Sequence, residues 1–325
     1  MALVAIAVAM AIRTFFLQPF KIPTGSMQPT LYGVTQEDLR GKAEVKIPNR
    51  LARFAQYWFN GVQYFHVVAK AEGEVRYEEP SKFVLFNLKQ NYRINGVPQP
   101  TIWFPPDELF ARAGVAPGTQ VRAGEDLIKL RVISGDHLFV DRVTYNFRRP
   151  GRGDIVVFET HGIDGIATNS PQLADTYYIK RLCGLGGERL TLKPDYEINH
   201  PYYGPCWVGH LVVNGTEQIT AATPHFEQLY SFPDATGTNR ALAFHENHHY
   251  GHWLTRSLRP GAEFTVATNH YFVMGDATFN SSDSRYWGDF ERTKVMGKSF
   301  FVYWPIGGTP FKDEFRDSRF GWAHR

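Results

Sequence analysis

The 325-residue sequence is short of several features, and each shortage narrows the reading. It has two cysteines, Cys183 and Cys206, too few for a disulfide scaffold or a thiolate zinc site. One bridge and two buried thiols both fit, because spacing alone does not place the two Cβ atoms. The formal charge is only +3, too small at this length to point to nucleic acid, though compatible with weak attraction to anionic lipid. No sustained repeat or low-complexity tract is present, which excludes solenoids and long linkers. Helical periodicity is scarce, which argues against a helical bundle. The longest apolar run, MALVAIAVAMAI at 1–12, falls short of the ~20 residues that a spanning helix needs.

That run is expected to be the end of a retained membrane anchor, with upstream residues missing from the sequence. A cleaved leader is the rival reading. No basic segment precedes the run, however, and Gln18-Pro19-Phe20-Lys21-Ile22-Pro23 after it offers no small-x-small cleavage site. Arg13 is the one nearby charge, so orientation is not legible.

What is present points to a mainly β protein with a substantial core. Apolar residues make up 43% and aromatic residues 15%, which favours extended structure. Strands are predicted at His137–Arg142, Asp154–Glu159, Tyr177–Leu182, His270–Met274 and Lys298–Trp304. Each is short, rich in β-branched or aromatic residues and bounded by turn formers. The main helical candidate is Pro106–Ala113.

Four segments bear chemistry. In Pro23-Thr24-Gly25-Ser26-Met27-Gln28-Pro29-Thr30-Leu31, Ser26 sits between a glycine and a proline-bounded turn. Constrained backbone of that kind suits an exposed nucleophile, although an ordinary surface turn has the same composition. In Tyr178-Ile179-Lys180-Arg181-Leu182, strand alternation puts Tyr178, Lys180 and Leu182 on one face. An amine with a pKa of about 10.4 is almost wholly protonated at neutral pH, so a lysine base needs an apolar enclosure that lowers it by ~2–3 units. A lysine reaching to water is the bland alternative. The third segment runs from Gly275 to Gly288 and holds Ser281, Asp283 and Arg285, a pair able to fix the loop. The fourth comprises Gly135-Asp136 and Arg152-Gly153-Asp154-Ile155-Val156-Val157, which alone read as scaffold.

In this order the segments resemble the type I signal peptidases (leader peptidases), a family of serine–lysine peptidases. The resemblance covers about half of the chain and includes the ending Arg319-Phe320-Gly321-Trp322-Ala323-His324. It implies a signal-peptidase-like β catalytic core with an N-terminal transmembrane helix and two insertions. Ser26 would be the nucleophile and Lys180 its general base. Thr24 would donate to the oxyanion, Ser281 would orient the lysine, and Asp283 with Arg285 would form a structural ion pair. Phe20, Ile22, Pro23, Leu31, Val157 and Ile179 would line two shallow pockets for alanine-sized side chains. The activity implied is removal of signal peptides from secretory preproteins after a small-x-small motif, with the substrate laid as a strand against an exposed edge. The resemblance implies no cofactor, metal or nucleic acid. It also implies a place in the plasma (inner) membrane, with the catalytic part on the periplasmic or extracytoplasmic side and the lipid bilayer as a partner.

The departures are specific. Ala277-Thr278-Phe279 replaces an Asn-Arg-Asp pattern, removing two charges from the supporting loop. Cys183-Gly184-Leu185-Gly186-Gly187-Glu188 replaces a Gly-x-Pro-Gly-Asp turn and is expected to loosen it. About a hundred residues separate Leu31 from Gly135 where many relatives have a few. The expected organisation is an anchor at 1–18 and a catalytic core at 19–32, 134–190 and 268–325. Insertions occupy 33–133, read as a small β-rich body, and 191–267, an accessory β domain.

Three rivals stand beside this reading. His245-Glu246-Asn247-His248-His249 matches a zinc-protease pattern, but no long helical period surrounds it and no third ligand is identifiable. A catalytically silent, membrane-tethered binding protein would have no need for Ser26, Lys180, Ser281 and Thr24 together. A self-cleaving regulator would be expected to carry a DNA-binding helix pair, and none is legible.

Overall fold

The structure, a computed structural model, describes residues 1–42, 44–83, 86–169, 171–221, 223–231, 251–308 and 318–323. The chain divides into two compact units, one of Met1–Val34 with Gly135–Arg325 and one of Thr35–Ser134.

The first unit is organised around an eight-stranded antiparallel sheet. Its strands run in the order Leu17–Lys21, His137–Asp141, Val295–Trp304, Ile155–Glu159, Tyr177–Leu185, His270–Met274 and Phe290–Glu291, with Gly321–Trp322 beside Val295–Trp304. The predicted strands are therefore present, with ends displaced by a few residues. Ile155–Glu159 shows why its sequence is continuously apolar instead of alternating. Ile155 and Val157 pack with Ile22, Met27 and Leu31, whereas Val156 and Phe158 pack on the opposite side with Leu182, Trp287 and Phe290. A strand covered on both faces needs apolar residues at every position. Burying each such side chain contributes roughly 1.5–3 kcal/mol.

A second, four-stranded sheet takes Arg189–His200 and Gly204–Val213 as a long hairpin, flanked by His252–Trp253 and Phe264–Thr265. The helix Pro224–Tyr230 supplies Phe226, Leu229 and Tyr230 to the same core as Leu190, Leu211 and Met274. Cys183 and Cys206 are both buried free thiols, which closes the choice left open by spacing. The His245–His249 segment lies outside the described residues.

The N-terminus corrects one expectation. Ala2–Phe15 is a helix of 14 residues, about 21 Å at 1.5 Å per residue, against a hydrocarbon layer of ~30 Å. No helix among the described residues is long and apolar enough to cross a membrane, so the expected transmembrane helix is not found. Leu3, Val4, Ile6 and Met10 on it are nevertheless exposed.

The Thr35–Ser134 unit contains three small sheets, the largest contacts being between Val62–Val68 and Asp126–Ile133. It also holds an unpredicted helix, Arg50–Asn60, within the stretch 33–133 read as a small β-rich body. The end signals explain the helix. Asn49 accepts a hydrogen bond from Ala52 N–H, and Gly61 stops the helix in the left-handed region. The predicted helix at Pro106–Ala113 shrinks to Leu109–Arg112, with Glu108 at φ 58° interrupting its first turn.

Two glycines let the chain pass close to the Ser26 segment. A Cβ on Gly135 would lie 1.9 Å from the carbonyl oxygen of Ile22, and one on Gly33 would lie 2.0 Å from the carbonyl carbon of Thr24. Backbone cannot yield as a flexible side chain does. Gly135→Ala should therefore destabilise the protein by about 2–4 kcal/mol in urea unfolding. Gly151→Ala, where nothing lies within 4 Å, should change stability by less than ~0.5 kcal/mol.

Candidate active site

Ser26 lies in the single 3₁₀ turn Gly25–Met27, directly after the edge strand Leu17–Lys21. The turn is tied down on several sides. Ile22 N–H donates to Asp136 O at 2.8 Å, Leu31 N–H to Met27 O at 2.8 Å, and Ala277 N–H to the carbonyl of Ser26 itself at 3.0 Å. Met27 is fully buried and anchors the turn in the apolar cluster of Ile22, Leu31 and Val157. Ser26 is 4% exposed.

Lys180 comes from the middle of Tyr177–Leu185, 154 residues away, and its Nζ donates to Ser26 Oγ at 2.7 Å. Its other hydrogen bond goes to Ile179 O at 3.1 Å, and the ring of Tyr178 stands 5.1 Å from the amine. Lys180 is 5% exposed. Burial strips the ammonium of water and lowers its pKa to about 8, although the carboxylates of Asp283 and Asp276 pull the other way.

Ser281 is buried against Gly275, whose absent Cβ would fall 2.2 Å from Ser281 Oγ and 2.5 Å from the Ser26 carbonyl. Its Oγ makes no well-formed hydrogen bond, though it lies close enough to Asp283 to help hold that carboxyl low. Thr24 precedes the turn in extended conformation, and it and Pro23 are exposed. Phe20, Ile22, Leu31, Val157 and Ile179 all join one apolar cluster, Phe20 and Ile179 being partly buried. Leu31 is 0% exposed and therefore forms floor, not surface.

Asp283 and Arg285 pair at 2.8 Å with both side chains wholly buried. Burial alone would raise Asp283, but the adjoining guanidinium outweighs it and holds the carboxyl below its ordinary range. Asp283 also accepts from Gly275 N–H at 3.0 Å, which links the pair to the backbone beside Ser281.

Two further buried pairs were not singled out from the sequence. Arg181 donates to Asp276 at 2.6 and 2.8 Å, and Thr30 and Tyr230 also donate to that carboxylate. Asp136 accepts from Arg319 Nε at 2.7 Å and from Tyr32 N–H at 2.7 Å, joining a residue near the chain's end to the segment after Ser26. The signal was there in part. Strand alternation puts Arg181 on the face opposite Lys180, and such a cation requires a partner.

The substituted loop is not loose. Thr278 Oγ1 accepts from Trp253 N–H at 2.7 Å and from Arg285 Nη1 at 2.8 Å, while Thr278 O accepts from Arg285 Nη2 at 2.9 Å. Phe279 stacks on His200 with ring centroids 4.5 Å apart. The second sheet thus holds the loop that carries Ser281. The turn after Cys183 is likewise pinned, because Glu188 accepts from Leu185 N–H at 2.7 Å and pairs with Arg152.

A serine hydroxyl set against a desolvated lysine amine, on an antiparallel β scaffold, has the parts of a serine peptidase. Comparison with known proteins agrees with that class. The family described as "Signal peptidase, peptidase S26" matches residues 128–304, a span that contains Lys180 and Ser281 but not Ser26. The match takes in more than half of the 325 residues, and the chain belongs to the signal peptidase family, peptidase S26. It is a serine peptidase of that family.

Among its relatives, signal peptidase I of Aquifex aeolicus is 26% identical over 220 residues, covering 60% of this chain and 78% of that protein. A probable signal peptidase I-2 of Synechocystis is 28% identical over 174 residues, covering 53% and 56%. The chain thus spans little more than half the length of the second relative. A crystal structure of a signal peptidase I from Enterococcus faecalis aligns with 46% of this chain and 97% of that one, at 23% identity and a TM-score of 0.27.

Thr278→Val keeps the shape of the side chain while removing the acceptor shared by Trp253 and Arg285. Leaving those buried donors unpaired should cost about 1–3 kcal/mol in urea unfolding, with Thr278→Ser near wild type. An unchanged midpoint in Thr278→Val would show that the contact carries no weight.

Proposed function

We propose that this chain is a membrane-bound endopeptidase that removes signal peptides from secretory preproteins after a small-x-small motif, with Ser26 as nucleophile and Lys180 as base. The observation that carries the reading is the 2.7 Å contact between Lys180 Nζ and Ser26 Oγ, with both side chains buried. A neutral amine there takes the hydroxyl proton as Oγ adds to the scissile carbonyl. The resulting ammonium returns the proton to the leaving amine, and a water molecule repeats the sequence to release the acyl group. Ser26 N–H and the Thr24 hydroxyl would stabilise the oxyanion, each donor being worth on the order of 3 kcal/mol. Ser281 would orient the lysine when its hydroxyl turns to the amine, with Asp283 and Arg285 fixing its loop.

Substrate contacts follow from the sheet. Glu159–Ile155 pairs with the whole of Tyr177–Arg181, but the His270–Met274 strand pairs only from Arg181 onward. The other edge of Tyr177–Ile179 is therefore without a partner strand among the described residues and suits an extended peptide. Phe20 and Ile179 would border its pockets, Ile22, Leu31 and Val157 would form their floor, and Pro23 would stand at the rim. The catalytic core would comprise residues 19–32, 134–190 and 268–325, with 33–133 and 191–267 as accessory parts. The exposed apolar helix Ala2–Phe15 would tether the core to the plasma membrane, with the site on the outer side. The reaction as written needs no cofactor.

Cleavage of a preprotein in detergent tests the assignment. Ser26→Ala and Lys180→Met should each lower turnover by at least ~10³-fold, and retained activity in either variant would overturn the pair. Wild-type turnover should rise with pH through about 8 as the amine loses its proton, then level off.

Stability carries a matching sign. The folded pKa of Lys180 lies below its unfolded value, so the unfolded chain binds more protons between about 8 and 10.4. Stability from this group is thus lowest below pH 8 and rises toward pH 10.4. Lys180→Met should accordingly be inactive yet about 1–3 kcal/mol more stable at pH 7 by urea unfolding.

A further inference from the structure

The helix Arg50–Asn60 wears its amphipathic pattern the wrong way round for a protein in water. Leu51, Phe54, Trp58 and Phe59 are 79%, 63%, 54% and 58% exposed, and Ala55 among them is exposed too. Ala52, Arg53, Gln56 and Tyr57 face the unit and are half-buried. At 100° per residue the exposed five form one continuous apolar stripe. No residue of the helix is buried, so its packing against its own unit does not account for its sequence. Contiguous exposed apolar surface of this kind marks an interaction site.

The flanking charge identifies the occupant. From Val45 to Ala71 the sequence contains no Asp or Glu, while exposed Arg50 borders the stripe and exposed Lys46 lies just before the helix. Neither of these two pairs with a carboxylate among the described residues. Large aromatic and aliphatic side chains on one face with basic residues beside them are the marks of a helix lying in a membrane interface. The aromatic rings sit at headgroup depth and the cations meet anionic headgroups. A second copy of this chain is a poorer fit, since a two-fold contact would set the same cations against themselves.

We propose that Arg50–Asn60 docks onto the surface of an anionic lipid bilayer, giving the Thr35–Ser134 unit a membrane contact of its own. This contact is separate from the apolar helix Ala2–Phe15 and independent of the Ser26 and Lys180 chemistry.

The test uses the full chain labelled with an environment-sensitive fluorophore at Phe59→Cys, the buried Cys183 and Cys206 being left in place. On adding vesicles of phosphatidylcholine with phosphatidylglycerol, emission should move to shorter wavelength and be quenched by brominated acyl chains. Pure phosphatidylcholine should require on the order of thirtyfold more lipid for the same change, as expected for two interfacial cations. Adding Leu51→Glu and Phe54→Glu should abolish the response while vesicles still capture the chain, and the thermal midpoint without lipid should not move, because both side chains are already in water. A label that stays water-exposed on captured chain would overturn the proposal. So would a shift without vesicles that grows with protein concentration, which would assign the stripe to a second copy. A shift produced only by an added soluble protein would assign it to a protein partner and overturn it equally.

Discussion

The first unit depends on one costly arrangement, a lysine amine held out of water against a serine hydroxyl. Desolvating that amine costs about 3 kcal/mol, a sizeable part of a typical domain's net stability. The surroundings of Lys180 make sense as the means of bearing this cost. Apolar strands close over both faces of the sheet, and Asp276 and Asp283 are each neutralised by a buried arginine. Were those carboxylates unpaired, they would pull the amine back toward its charged form. The two ion pairs thus act on the lysine through what they cancel as well as through what they hold.

The second sheet and the helix Pro224–Tyr230 that shares its core take part in the same arrangement. Tyr230 reaches Asp276, Trp253 reaches Thr278 and Arg285, and His252 stacks on Tyr230 with its ring kept neutral by burial. Arg285 is satisfied by Asp283, by Thr278 and by the Trp253 carbonyl of the second sheet. The uncharged stretch Ala277-Thr278-Phe279 is therefore firmly held.

Much of the sheet was legible because its strands announce themselves locally, as Ile155–Glu159 and His270–Met274 do. The site was legible only through the order of its segments. Neither Ser26 nor Lys180 stands out by itself, since burial at 154 residues' separation leaves no local trace. The partners of Arg181 and Arg319 were not legible for the same reason, each lying 95 or 183 residues away. The helix at Arg50–Asn60 fell inside a stretch read as β-rich, and its signals lay at its ends, in the cap at Asn49 and the stop at Gly61. The short helix at Leu109–Arg112 fell short of its prediction where Glu108 takes up left-handed backbone.

The bond from Arg319 to Asp136 has a consequence for the order of events at the ribosome. The segment bearing Ser26 emerges first, Lys180 follows, and the Ser281 loop comes later still. Asp136, which fastens the turn through Ile22 and Tyr32, meets its arginine only when residue 319 has been made. At ~5–20 residues per second, Ser26 waits on the order of tens of seconds for that clasp. The turn that carries Ser26 is thus fully fastened only when synthesis is nearly over.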